Sequence, residues 1–252
     1  MSDAVSLTID GAVARLTFDR PDVLNAADVA WVGDLERACA RLAAAPAIRV
    51  VVMTGRGRAF QTGVDLKALA RGEMPLDAFV RWESAMTAME RMDKLFIAAI
   101  NGHCLGGGLQ LTLVCDYRLA TTGARLGLPA VKECLIPSMA LYRLPRLIGL
   151  ARAQELILTG RTITAEEAER YGLVNRVVPA ADFARAVDET IETFLALPAT
   201  SVGVSKRLVA RAFDLSFDEF RAAMEAGFAE CLASDEHRAA MDAIRARLHP
   251  TR

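Results

Sequence analysis

Three consecutive glycines sit inside the segment Asn101-Gly102-His103-Cys104-Leu105-Gly106-Gly107-Gly108-Leu109-Gln110, between an apolar run, Phe96 to Ile100, and an apolar stretch that reads as a helix. A strand that turns into a helix through glycine has no Cβ at its corner. Peptide N–H groups there can approach a ligand oxygen closely, and the helix beginning at the corner adds the positive end of its dipole. Such a corner suits an oxygen that gains negative charge. A second segment, Gly57-Arg58-Ala59-Phe60-Gln61-Thr62-Gly63-Val64-Asp65-Leu66-Lys67, also follows a β-like run, Val50 to Thr54, and also enters a helix through small residues. Two such corners could clamp one carbonyl oxygen.

The rest of the chain supplies the frame for them. Val5 to Ile9 and Val13 to Phe18 alternate apolar with polar about Asp10-Gly11, which predicts an opening β-hairpin. Val29, Val32, Leu35, Cys39 and Leu42 recur at helical spacing over Asp28 to Leu42, and a strand from Ile48 to Thr54 follows. The order strand, helix, strand recurs through Phe79 to Met92, Phe96 to Ile100, Gly108 to Leu113 and Tyr117 to Ala120. That rhythm implies an α/β fold with parallel pairing and helices on the sheet faces. Beyond Gly149 the chain turns helical: Ala151 to Leu158, Ala165 to Tyr171, Ala181 to Leu195, Ser201 to Ala212, Phe217 to Leu232 and Asp235 to Leu248, broken by a short strand at Val174 to Val178. The expected division is a core over residues 1–195 and a helical region over 196–252.

Composition narrows the function. A chain of 252 residues that is 53% hydrophobic can bury a large core. Its 30 basic and 31 acidic residues are interleaved and give a net charge of −1, with no basic stripe for nucleic acid. Cys39, Cys104, Cys115, Cys134 and Cys231 form no C-x-x-C pair, so they read as reduced thiols, small buried hydrophobes of a cytoplasmic protein. Ser2-Asp3 opens the sequence without a basic, apolar leader, and no apolar run reaches the roughly 18 residues of a membrane helix. His103, His237 and His249 are not assembled with carboxylates at metal-ligand spacing, so no metal is expected.

The glycine corner, the Ala59-Phe60-x-x-Gly63-x-Asp65-Leu66 loop, Leu24-Asn25-Ala26 after Arg20-Pro21, and Leu158-Thr159-Gly160 through Ala165-Glu166-Glu167-Ala168 to Gly172-Leu173-Val174 resemble the enoyl-CoA hydratase/isomerase (crotonase) superfamily. The match runs in order from about Val5 to the C-terminus. The resemblance implies a crotonase-like spiral of ββα units with C-terminal helices that cover the active site and join subunits into trimers, often paired as hexamers. It implies an acyl-CoA thioester as ligand and no separate cofactor. It places the two backbone N–H groups of the oxyanion hole on Val64 and Gly107. It puts Ala26 near the nucleotide of CoA, Arg58 toward its phosphates, and Val64, Asp65, Leu66 and Lys67 along the pantetheine and thioester.

The chain departs from the family's hydratases in its side chains. Their two catalytic glutamates fall here on Gln110 and Ala130. Glutamine can orient a water or a substrate oxygen but cannot take its proton near neutral pH, and alanine can do neither. The aspartate that some isomerases use falls near Ser138 or Met139. Glu133, three residues past Ala130, is the first candidate for a replacement acid/base group if the stretch forms a turn of helix; a solvated surface glutamate is the alternative. Tyr142 could donate a proton or line the acyl pocket, or be a half-buried aromatic. Three functions stay open: hydration or isomerisation through a non-standard group, decarboxylation or carbon–carbon cleavage driven by the oxyanion hole alone, and silent binding of acyl-CoA.

Overall fold

The computed structural model describes residues 4–248, so Ser2, Asp3 and His249 lie outside it. The chain opens with the predicted hairpin, β1 (Val5–Asp10) against β2 (Val13–Phe18). Asp10 pairs with Val13, which puts the two-residue turn on Gly11 and Ala12, one position later than the alternation implies; Gly11 takes a φ of 55°. Helix α1 (Val29–Ala43) starts where the Asp28 carboxylate accepts a hydrogen bond from the Trp31 N–H at 2.8 Å. Its apolar stripe buries Trp31, Val32, Leu35, Cys39 and Leu42.

A repeating unit follows. Strands β3 (Val50–Gly55) and β4 (Ala59–Gln61) lead to α2 (Leu66–Ala70) and α3 (Leu76–Arg91). Strands β5 (Leu95–Ile100) and β6 (His103–Leu105) lead to α4 (Gly107–Leu113), and β7 (Tyr117–Thr121) and β8 (Arg125–Gly127) to α5 (Ala140–Ile148) and α6 (Leu150–Thr159). In each unit the first strand joins one sheet and the second joins another. Strand β9 (Thr162–Thr164), α7 (Ala165–Arg170), β10 (Arg176–Val178) and α8 (Phe183–Leu195) complete this part. The six-stranded sheet runs β1-β2-β3-β5-β7-β10, parallel from β2 onward, and the four-stranded sheet runs β4-β6-β8-β9. This is the ββα progression that the resemblance implies. The four-stranded sheet was not legible in the sequence, because three-residue strands are too short to alternate.

Two compact units divide the chain at Thr190 and Ile191, inside α8. The first holds a continuous apolar core in which Phe18 meets Trp31 at 5.4 Å between ring centroids and Phe60 edge-on at 5.2 Å, and Trp31 meets Trp82 at 5.0 Å. The second contains α9 (Ala199–Val209), α10 (Phe217–Ala233) and α11 (Asp235–Leu248). There Gly227 lets α10 lie close to α9, since a Cβ would meet Val204 Cγ1 at 2.7 Å.

Two expectations need correction. Helix begins before Gly149, because α5 continues through Pro145, a residue that reads as a breaker in sequence. The cysteines do not share one environment: Cys39, Cys104 and Cys115 are buried, but Cys231 is partly exposed and Cys134 is exposed, next to Glu133. No described helix is long and apolar enough to cross a membrane, and no described His, Cys, Asp and Glu residues gather as a metal site.

Candidate active site

The loop after β4 is held by a buried side chain. Gln61 is fully buried; its Oε1 accepts from the Gly63 N–H at 2.7 Å, and its Nε2 donates to the Gly63 carbonyl at 3.0 Å. Gly63 takes a φ of 92°, which favours glycine. Val64 then forms a parallel bridge with Ala27 in which the Ala27 N–H donates to Gly63 O and the Asp65 N–H donates to Ala27 O, both at 2.8 Å. In that pattern the Val64 N–H points to the other side of the strand. Asp65 next caps α2, accepting from the N–H groups of Lys67 and Ala68 at 3.0 and 3.3 Å.

The second corner meets the first. The Gly106 N–H donates to the Gly127 carbonyl at 2.9 Å, Gly106 has a φ of 53°, and α4 begins at Gly107, whose amide has no partner four residues earlier in a helix. A Cβ on Gly63 would lie 3.3 Å from Gly107 N, so the two loops touch main chain to main chain. The glycines also have packing work. A Cβ on Gly107 would meet Trp82 Cη2 at 2.2 Å, and one on Gly108 would meet the Gln61 carbonyl at 2.0 Å. Tight packing and an amide without a helical partner therefore meet at Gly107.

Both corners open on a cavity of about 120 Å³. Val64, Leu66 and Gly107 line it together with Gln110 and Glu133, and Phe79, Trp82, Met86, Leu135 and Ile136 give it an apolar wall. Residues Pro129–Glu133 form a 3-10 turn. With three residues per turn, Glu133 eclipses Ala130 and shares its face, and both line the cavity. Glu133 itself is exposed at the rim and makes no hydrogen bond or ion pair among the described residues, so Lys132 does not pair with it. Gln110 is only 9% exposed, and its Oε1 is buried without a donor. On this cavity a ligand would find two amide corners, one amide side chain, one carboxylate and the hydroxyl-bearing residues Thr62 and Ser138.

The remaining sequence candidates lie elsewhere. Tyr142 is not among the lining residues; the residue is 39% exposed, and the Arg146 guanidinium lies over its ring, 3.4 Å from the centroid. Arg58 and Lys67 are exposed away from the lining, and Ala26 is buried, its carbonyl accepting from Arg20 Nη1 at 2.5 Å. Asn25, fully buried, spends its amide on the carbonyls of Arg56, Ala59 and Phe60 and holds the β3–β4 corner rather than a ligand. His103 lies on β6, off the cavity.

Sequence reasoning missed the polar group behind Ser138. The Ser138 hydroxyl donates to Glu83 Oε2 at 3.1 Å, and Glu83 is paired with Arg143 at 2.7 Å. Arg143, 8% exposed, also binds Glu90 at 2.9 Å. Burial works against its charge, but the hydrogen bonds to Glu90 and Glu83 prevail and hold its pKa above the ordinary arginine value. Glu83 and Arg143 lie 60 residues apart on α3 and α5, and no local pattern announces their meeting.

The comparisons agree with this architecture. Residues 8–251 match the Enoyl-CoA hydratase/isomerase family. The chain is 40% identical over 193 residues to (E)-benzylidenesuccinyl-CoA hydratase of Thauera aromatica, covering 74% of this chain and 75% of that protein. Among solved structures, enoyl-CoA hydratase from Bacillus anthracis superposes with a TM-score of 0.90 at 30% identity, over 97% of this chain and 96% of that one. A Thermobifida fusca structure in complex with CoA superposes with a TM-score of 0.83 at 32% identity, over 92% and 93%. With its two sheets fed by alternate strands, its paired glycine corners and these relatives, the chain belongs to the enoyl-CoA hydratase/isomerase family of the crotonase superfamily.

Proposed function

We propose that this protein binds an acyl-CoA thioester with its carbonyl oxygen between the amides of Val64 and Gly107, and that it stabilises the thioester enolate there. The observation that carries this reading is that two independently built corners, one clamped by Gln61 and one bent at Gly106, touch each other and open on one cavity with Gln110 and Glu133. Each donor aimed at a developing oxyanion contributes about 3–4 kcal/mol to the transition state. Glu133, on the face of the missing glutamate, takes a proton from water as its oxygen bonds to the β-carbon, and returns that proton to the α-carbon of the enolate. Gln110 holds an oxygen. The net reaction adds one H and one OH to an enoyl thioester, and its reverse is dehydration.

Ala26, Arg58, Asp65 and Lys67 would run along CoA outside the acyl cavity, and Leu66, which lines the cavity, would border the thioester. CoA arrives as part of the substrate, and no further cofactor enters the scheme. The exposed apolar side chains of the second unit, Phe217, Phe228 and Leu232 among them, suit a homo-oligomer, a trimer or a pair of trimers.

The exposure of Glu133 at the rim favours one rival, a catalytically silent acyl-CoA-binding subunit. Incubation with a panel of enoyl, β-hydroxyacyl and carboxyacyl thioesters in deuterated water separates the two. Deuterium at the α-carbon that disappears in Glu133→Gln is the expected result; tight binding with no exchange across the panel would establish the silent binder. Release of CO₂ from a carboxyacyl thioester without any hydration would instead identify a decarboxylase.

A further inference from the structure

A water in this cavity needs more than Glu133 and Gln110 to be held for attack. Ser138 lines the same cavity, in the segment that joins the 3-10 turn to α5. Its hydroxyl has one proton, and that proton is committed to Glu83. What remains on Oγ is acceptor capacity. Arg143 fixes Glu83 from behind, and Glu90 and Thr87 fix Arg143 in turn. The Ser138 backbone has a φ of 40°, a conformation that favours glycine, yet a hydroxyl-bearing residue stands there. Gln110 complements it. The amide nitrogen of that side chain has no partner among the described residues and offers donors where Ser138 offers an acceptor.

We propose that Ser138 is the side chain that receives a hydrogen bond from the attacking water, or from the β-hydroxyl in the reverse direction, and that Glu83 is a positioning residue acting through it. The water then gives one proton's hydrogen bond to Ser138 Oγ, accepts one from the Gln110 amide, and yields its second proton to Glu133 as the C–O bond forms. Ser138 keeps its own proton throughout. The proposal names a β-hydroxyacyl or enoyl thioester as the substrate class and rests on the reading given under Proposed function.

The test uses 3-hydroxybutyryl-CoA and crotonyl-CoA in deuterated water, following dehydration or hydration by absorbance and α-deuterium by mass spectrometry. Ser138→Gly is the informative variant, because glycine suits the left-handed backbone and the substitution removes no more than the CH2OH group. Hydration of crotonyl-CoA and dehydration of 3-hydroxybutyryl-CoA are expected to fall about 10²-fold, with α-exchange into 3-hydroxybutyryl-CoA and thioester affinity within twofold of wild type. Glu83→Gln, which keeps the shape and weakens the acceptor, is expected to show the same split to a smaller degree. Hydration at the wild-type rate in Ser138→Gly overturns the proposal, and so does equal loss of hydration and α-exchange, which would mark a purely structural role. Wild-type protein that acts on neither thioester sinks the enoyl-thioester reading and this proposal with it.

Discussion

The two halves of the cavity are built on opposite principles. The half that would hold the thioester oxygen is main chain, buried and over-determined: Gln61 clamps Gly63, Trp82 presses on Gly107, and the Gln61 carbonyl presses on Gly108. The half over residues 129–139 is a 3-10 turn and loop, largely exposed, with Cys134 and Ser138 both at positive φ. A buried corner with no room for a methyl group cannot drift without unfolding, whereas an exposed turn can exchange its side chains at little cost. The contrast explains how the turn can carry Ala130 and Glu133 on one face without disturbing the amide corners. On the proposed function, reaction specificity would lie in the adaptable half.

That contrast can be broken by substitution. Gly107→Ala should have the largest effect, because its methyl would overlap Trp82 Cη2 at 2.2 Å; a loss of about 3 kcal/mol or more is expected in a urea titration, together with loss of activity. Unchanged stability would mean that the buried half is not rigid. Glu133→Gln should leave the urea midpoint in place and reduce α-exchange about 10²- to 10⁴-fold. Rates like those of wild type would remove Glu133 from the chemistry.

Gly160 tests whether the two halves are mechanically separate. It ends α6 with a φ of 59°, and a Cβ there would stand 3.1 Å from Val131 Cγ2 and 3.3 Å from Pro129 Cα, directly under the 3-10 turn. Gly160→Ala is expected to cost about 1–2 kcal/mol in thermal or urea unfolding and to lower turnover without weakening thioester binding. Equal losses of binding and turnover would show the halves moving as one. The gentlest probe is alkylation. Burial, helped by the nearby Glu36 carboxylate, pushes the Cys39 thiol up to about 12, so at pH 8 it stays protonated as well as covered. Iodoacetamide at pH 8 should label Cys134 in the folded protein and spare Cys39, with bound acyl-CoA slowing the reaction at Cys134. Labelling of Cys39 at a similar rate would show that the core beneath α1 opens.

Much of this was readable before any coordinates. The alternation over Val5–Phe18, the βαβ rhythm and the tail helices all carry periodicities long enough to recognise, and the glycine corners announce themselves because few other reasons put glycines in a row after a strand. What stayed hidden was short or distant. The strands of the second sheet have three residues each, α5 conceals itself behind Pro145, and the clamp by Gln61 looks like any polar residue beside a glycine. Tyr142 shows the converse, an aromatic whose sequence position invites a role and whose side chain lies under Arg146 instead.

The sequence alone determined the chain's family, its parallel α/β frame and the two glycine corners, since these depend on local residue type and spacing. Only the tertiary structure decided which side chains share the cavity with them. It brought Glu83 of α3 to Arg143 of α5 and to Ser138 in the loop before it, and set Glu133 over Ala130 by the pitch of one 3-10 turn. Backbone conformation follows from neighbours in sequence, but a polar network closes between residues far apart in the chain, and its partners are fixed by packing.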